Sequence, residues 1–187
     1  EEIILKIASV VQKELDVDNF CLAGGVALNC VANGQIIRNP PVTELFVQPA
    51  AGDNGGAMGA ALWLWHEVLG KERSWKMTSP YLGPEYSDEF IEETLKRYNA
   101  VYTRLNRQSL LEQTTDMLKE AMVVGWYQGR QEWGPRALGH RSILGDPRHP
   151  DMREIINMKI KMREGFRPFA PSVIEEDCNQ YFDLSKS

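Results

Sequence analysis

Apolar and polar positions along the chain follow two periods. Ile3, Ile4, Ile7, Val10, Val11 and Leu15 recur at helical spacing, with Lys6, Lys13 and Glu14 off that face, which predicts an amphipathic helix over residues 1–15. A short apolar run at 19–23 predicts a strand that runs into Gly24-Gly25-Val26-Ala27-Leu28-Asn29, with a helix from about Val26 to Ile37 stopped by Asn39-Pro40-Pro41. The order repeats: a strand at 45–47, a glycine-rich turn through Gly52-Asp53-Asn54-Gly55-Gly56, then a helix of small residues ending in Leu62, Trp63, Trp65 and Leu69, read as core. Residues 71–106 form a connector in which Ser87-Asp88-Glu89 opens a helix with Phe90, Ile91, Leu95 and Tyr98 inward, followed by a short strand at 101–105. An amphipathic helix over 109–122 turns Leu110, Leu111, Thr114, Met117, Leu118 and Met122 inward and leads into a strand at 123–127. That strand breaks at Gly129 into a long loop reaching Arg148. A helix over 151–163 capped by Asp151, a strand at 172–174 and a helix over 175–181 complete an α/β pattern.

Bulk properties narrow the class. The 187 residues suffice for one large domain or two small ones, and 43% hydrophobic with 25% charged residues is ordinary for a globular protein. A net charge of -5 argues against general nucleic-acid binding, yet residues 130–171 alone carry nine Lys/Arg against five Asp/Glu. One cationic region in an acidic chain fits a small-anion site. Cys21, Cys30 and Cys178 are widely spaced, form no CxxC pair and predict a reducing, cytoplasmic setting. No apolar run approaches the ~20 residues that span a bilayer. The chain opens on Glu1 inside a predicted helix, so a fragment of a longer protein is expected.

Candidate chemistry concentrates in the loop 128–148. Glycines there allow sharp turns and close backbone approach, while Arg130, Arg136, Arg141 and Arg148 offer forked donors for phosphate or carboxylate oxygens. Any one of these arginines could instead pair with a nearby acid; the group of four favours anion binding. The Gly24-Gly25-Val26 turn, with Asn29 one turn further on, could receive polar ligand atoms or simply be a packing turn. Asp53, at a strand's carboxyl end, could bind a metal ion or cap the next helix.

Strand-GGVALN-helix followed by strand-GDNGGAMGAA-helix resembles the second lobe of the actin/Hsp70-like superfamily, and more narrowly the Kae1-like domain of O-carbamoyltransferases and tRNA threonylcarbamoyl transferases. EWGPRALGHRSILGDPR with NMKIKMREGFRPFAPSV strongly resembles the carboxyl-terminal domain of NodU/CmcH-type O-carbamoyltransferases, and its KIKMRE and RPFAPSV parts resemble a YrdC-like fold. The resemblance implies a partial Kae1-like lobe over 1–70, the connector 71–106, and a partial YrdC-like α/β domain over 107–187. It implies that carbamoyl phosphate and ATP give carbamoyl adenylate and pyrophosphate in the second domain. The first would transfer the carbamoyl group to a small-molecule hydroxyl, assisted by a divalent metal, iron by family resemblance. Arg136, Arg141, Lys161, Arg163 and Arg167 are then the candidate catalytic cations, with Lys159 a further possibility; Gly24, Gly25, Val26, Asn29 and Ser172 the nucleotide contacts; and Asp53 one metal ligand, its partners expected upstream of Glu1. His140 stands where Asn is common in the family and receives no role. Two other readings remain: threonylcarbamoyl transfer to tRNA, against which the GPRALGHRS block and acidic balance speak, and a non-catalytic nucleotide-binding regulator. Neither nucleic acid nor membrane is expected as a partner.

Overall fold

A computed structural model describes residues 1–39 and 42–183. Its elements are mixed α and β. The chain separates into two compact units: Glu1–Pro80 with Trp133–Arg136 and the segment from Glu176 onward, and Tyr81–Glu132 with Ala137–Glu175.

In the first unit, helix α1 (Glu2–Leu15) precedes strand β1 (Asn19–Leu22). A 3₁₀ turn, Gly25–Leu28, and helix α2 (Cys30–Arg38) lead to β2 (Glu44–Val47). β1 and β2 pair in parallel, Asn19 opposite Glu44 through Leu22 opposite Val47. Helix α3 (Gly55–Trp63) follows and widens into a π turn, Leu64–Val68. The single helix expected from Val26 is therefore two pieces, because the Asn29 side chain accepts from Ala32 N–H at 3.2 Å and starts α2 anew. Pro40 and Pro41, expected to stop this helix, lie outside the described residues; α2 ends at Arg38, and Asn39 N–H closes on the Ile36 carbonyl at 3.2 Å. Ala27, Ala32, Ile36, Val42, Ala50 and Ala51 form the buried core of this unit, mostly small side chains at the ends of the parallel pair.

In the second unit, α4 (Asp88–Arg97) and α5 (Arg107–Lys119) are capped by Ser87 and Asn106, whose side chains accept from Phe90 and Ser109 N–H. β3 (Val124–Tyr127) and β4 (Arg141–Leu144) form an antiparallel pair, Val124 opposite Leu144 and Tyr127 opposite Arg141. A three-residue helix, Met152–Glu154, passes into a π turn, Ile155–Ile160, whose Met152 and Ile156 are buried.

Several expectations are corrected. The loop after β3 is shorter than expected: it returns as β4, because the backbone of Arg141 to Leu144 pairs antiparallel with β3. The helix expected over 151–163 ends at Ile160, and Met162 adopts a left-handed backbone, φ 46°. Asp151 occupies the cap position without a side-chain cap bond. Residues 101–105 are not a strand: Tyr102 and Arg104 are pinned by their side chains to Glu92 of α4, which replaces a ladder. Residues 172–174 are not a strand either; Pro168 and Pro171 lack the N–H groups that a ladder would use. Trp63, Trp65, Leu69, Phe90, Ile91 and Tyr98 are exposed rather than core, as are Ile3, Ile7, Val10 and Leu15 of α1. The physical reason is that two-stranded sheets are too small to cover these helical faces. Among the described residues no helix is long and apolar enough to cross a membrane.

Candidate functional site

In the first unit, three turns meet at the carboxyl ends of β1 and β2. Gly24, at φ 97°, donates its N–H to the Ala51 carbonyl at 2.6 Å, which ties the turn after β1 to the turn after β2. Gln48 holds that second turn, its Oε1 accepting from Ala50 N–H. The third turn is Trp133–Arg136. Trp133 N–H donates to the Pro80 carbonyl at 2.6 Å, and Arg136 donates through Nη2 to the Leu28 carbonyl at 3.2 Å. Gly134 lies against the Pro49 carbonyl and Ala50 nitrogen at φ 108°, where no Cβ fits. Gly24 and Gly25, in contrast, face open space. Val26 is exposed, and Asn29 Oδ1 is used in capping. Asp53 is exposed, and its carboxylate makes no hydrogen bond or ion pair among the described residues; α3 has no side-chain cap. No three His, Cys, Asp or Glu side chains gather into a metal-holding group among the described residues. The donors present do not make a metal site; Asp53 could supply at most one ligand.

In the second unit, two buried polar side chains organise the cationic motifs. Glu132 is 4% exposed. Its Oε1 accepts from the N–H groups of Leu138 and His140 at 2.8 Å and of Arg141 at 3.1 Å, while Oε2 faces Arg141 Nε at 3.3 Å. Burial pushes the Glu132 carboxyl up, but the backbone donors of Leu138, Arg141 and His140 outweigh it, and the group lies below the usual glutamate range. His140 completes this loop: its ring stacks on Tyr81 with centroids 3.8 Å apart, and Nδ1 meets the Arg130 carbonyl at 2.6 Å. Asn157 is fully buried. Its Nδ2 donates to the carbonyls of Gly165 at 3.3 Å and Arg167 at 2.9 Å, and its Oδ1 accepts from Arg163 Nε at 2.7 Å. The Arg163 guanidinium also lies 4.9 Å from the centre of the Phe169 ring.

The candidate cations thus divide. Arg136 belongs to the first unit. Arg141 is paired with Glu132, and Arg163 and the Arg167 backbone are gathered around Asn157. Arg167 pairs at the surface with Glu164 at 2.8 Å, and Arg148 with Asp146 at 2.6 Å. Lys159 and Lys161 are exposed. Ser172 is exposed on the rim of a cleft of about 700 Å³ lined also by Leu118, Met152, Ile156 and Phe169. The sequence reading missed Glu132 and Asn157. Each carried a signal: Glu132 is the lone acid between Arg130 and Arg141, and Asn157 is an amide within the apolar run Ile155-Ile156-Asn157-Met158.

Glycine turns at the carboxyl ends of a parallel strand pair, and arginine motifs held by buried polar groups, are features that an α/β protein can use to receive anionic ligands. Comparison with known proteins names the family. Residues 1–62 match the family model "Carbamoyltransferase N-terminus" and residues 115–187 match "Carbamoyltransferase C-terminus". An uncharacterized protein, sll1178, of Synechocystis is 49% identical over 100% of this chain and 31% of its own length. The nodulation protein NolNO of Sinorhizobium fredii is 42% identical over 91% of this chain and 25% of its own length. The 3'-hydroxymethylcephem-O-carbamoyltransferase of Streptomyces clavuligerus is 32% identical over 97% of this chain and 33% of its own length. The chain belongs to the carbamoyltransferase family, NodU/CmcH type, and spans about a third or less of the length of these relatives.

Proposed function

We propose that this chain is part of an O-carbamoyltransferase that uses ATP and carbamoyl phosphate. Residues 1–70 belong to a Kae1-like transfer domain and residues 107–187 to a YrdC-like activation domain of a protein working in a reducing compartment. In the activation step, water releases phosphate from carbamoyl phosphate, a carbamate oxygen then bonds to the α-phosphorus of ATP, and pyrophosphate leaves. In the transfer step, the acceptor hydroxyl oxygen bonds to the carbamoyl carbon, AMP leaves, and the hydroxyl proton is lost. The relative that is named for its acceptor takes a hydroxymethyl group on a small molecule, which supports a small-molecule hydroxyl here.

The observation that carries this reading is Arg163. It is fixed by Asn157, a neutral amide, and no acidic side chain bonds it among the described residues. Its charge is therefore available to the many phosphate oxygens that activation brings together. Arg141 borders the same unit with a partly compensated charge, and Lys161, Arg167 and Ser172 stand on the same connected motif. Asp53 would supply one ligand to the divalent metal that the family resemblance implies, and that metal would polarise the carbamoyl carbonyl or orient the acceptor.

The test uses the full-length protein with ATP and carbamoyl phosphate and no acceptor. Pyrophosphate release that requires carbamoyl phosphate and falls by about 100-fold or more in Arg163→Ala is the expected result. Release unchanged in Arg163→Ala contradicts the residue assignment, and no release from the wild type contradicts the activation chemistry.

A further inference from the structure

The connector fastens the arginine loop of the second unit. Tyr81-Leu82-Gly83-Pro84 lies outside both stretches matched by the family models, 1–62 and 115–187, yet it belongs to the same unit as residues 127–132 and 137–141. Gly83 N–H donates to the Gln131 carbonyl at 2.9 Å, and Gln131 N–H donates to the Pro84 carbonyl at 3.0 Å. Such an exchange of bonds resembles one rung of an antiparallel ladder. The Tyr127 hydroxyl donates to the same Pro84 carbonyl at 3.4 Å. Gly83 admits this approach because a Cβ there would stand 2.8 Å from both the Cβ and the carbonyl oxygen of Gln131.

Tyr81 closes the strap. Its hydroxyl donates to the Leu138 carbonyl at 2.9 Å, and its ring lies on the His140 ring, with centroids 3.8 Å apart and planes 16° from parallel. His140 then holds the other limb of the loop. Its Nδ1 donates to the Arg130 carbonyl at 2.6 Å, and its own carbonyl accepts from Gln128 N–H at 2.8 Å. Arg130 therefore stands on a fixed backbone, between Gly129 at φ 53° and the strapped Gln131. Its side chain is exposed, and no acidic side chain bonds it among the described residues. Arg141, Arg148 and Arg167, in contrast, each face an acid. A permanent cation with an uncancelled charge on a fixed backbone suits an anionic oxygen.

We propose that Tyr81 and His140 form a clasp that positions Arg130, and that Arg130 binds a phosphate oxygen of carbamoyl phosphate. The assignment rests on the two-step carbamoyltransferase reading above. Tyr81 touches no substrate in this scheme. It acts through His140, and His140 acts through the Arg130 carbonyl, so both are positioning residues.

Carbamoyl phosphate-dependent pyrophosphate release by the full-length protein tests this. Arg130→Ala should raise KM for carbamoyl phosphate by about tenfold or more, with a smaller change in kcat. Tyr81→Leu removes the stack and the Leu138 bond, and His140→Asn removes the ring; each should raise the same KM by about threefold or more. Neither should raise it further in an Arg130→Ala background, because residues that act through one group are not additive. Tyr81→Phe keeps the ring and loses only the hydroxyl, and should fall between the wild type and Tyr81→Leu. Tyr86→Leu undoes a different stack of the connector, that of Tyr86 on Phe90, and should leave KM within about twofold. An unchanged KM in Arg130→Ala overturns the binding role. A KM effect of Tyr81→Leu that persists in full in the Arg130→Ala background, or lost thermal stability with KM unchanged, overturns the positioning role. Absence of release from the wild type counts against the activation chemistry instead. The same cycle is then read by calorimetric titration with inorganic phosphate, where equal affinity with and without Arg130 overturns the proposal.

Discussion

The second unit holds its two arginine motifs in opposite ways. Around Glu132 the anchor is a charge: a buried carboxylate gathers three backbone N–H groups and faces the Arg141 guanidinium. Around Asn157 the anchor is a neutral amide that donates to two carbonyls and accepts from Arg163. The geometric outcome is similar, a loop closed on a buried side chain with an arginine beside it. The electrostatic outcome is not. Arg141 has an acid at 3.3 Å, whereas Arg163 is positioned by a group without charge. A carboxylate anchor secures a loop strongly because charged hydrogen bonds are the stronger ones, but it cancels part of its arginine's field. An amide anchor holds less strongly and leaves the field intact. On the function proposed above, Arg141 would chiefly fasten the loop and Arg163, with Glu164 as its acidic neighbour, would meet the anion.

The largest effect is expected where the anchor is charged. Glu132→Ala removes the acceptor of three N–H groups and the partner of a guanidinium that is itself only 34% exposed. Loss of one partner of a buried pair is costly, here about 3 kcal/mol, because what remains is unsatisfied. Amide hydrogen exchange should show lost protection at Leu138, His140 and Arg141. Because the Glu132 carboxyl lies below its ordinary value when folded, its contribution is complete above that ordinary value and disappears as pH falls through the lowered one. Protection of those three amides that survives Glu132→Ala would show that the β3–β4 pairing holds the loop without the carboxylate.

A smaller effect should follow at Asn157. Asn157→Ala strands the Gly165 and Arg167 carbonyls and releases Arg163, for about 2 kcal/mol, which denaturant titration can measure. Asn157→Asp is the sharper test, since it makes the second anchor resemble the first. The new carboxylate would keep Arg163 in place and cancel its charge, while opposing the two carbonyls. Pyrophosphate release should then fall by roughly tenfold or more even where the variant is folded. Normal activity in Asn157→Asp would show that the neutrality of the anchor has no functional weight.

Much of this arrangement was legible in the sequence, for reasons that also explain what was not. α1, the β1 and β2 strands and α5 followed from periodicity, and α4 from Ser87 as well, since local pattern decides such elements; the Asn106 cap of α5 was not read, and the helix was expected to start at 109 rather than 107. The glycine turns after β1 and β2 were legible because small residues there have few other uses. β4 was hidden: Arg141-Ser142-Ile143-Leu144 reads as loop until β3 is beside it, and pairing is a non-local fact. The exposed Trp63, Trp65 and Phe90 were misplaced because periodicity shows an apolar face but not what covers it. The division of Arg136 from Arg141 was invisible, since only tertiary contacts reveal that Gly134 fits under Pro49. Glu132 and Asn157 escaped because a polar residue in a motif is first read as a ligand contact, not as the peg on which the motif hangs.

The smallest effect lies in a third arrangement, an acid–arginine pair whose arginine is left in solvent, its side chain 75% exposed. Asp146 accepts from both Nε and Nη2 of Arg148, and from its backbone N–H, but this arginine is far more exposed than Arg141. The Arg148 side chain, then its backbone N–H, hold the Asp146 carboxyl down at about 2 from an ordinary 3.8. With the folded value depressed, whatever stability the pair gives is fully present above the ordinary value and is lost as pH falls from there through about 2. Exposed pairs contribute little because water and salt screen them and two side chains must be ordered. Arg148→Ala should therefore leave thermal stability at neutral pH nearly unchanged, while carboxyl NMR shows the Asp146 midpoint moving up towards 3.8. If Arg148→Ala instead destabilised the protein as much as Glu132→Ala, exposure of the arginine could not be what separates a fastening pair from a decorative one, and the contrast between the Glu132–Arg141 and Asp146–Arg148 pairs would fail.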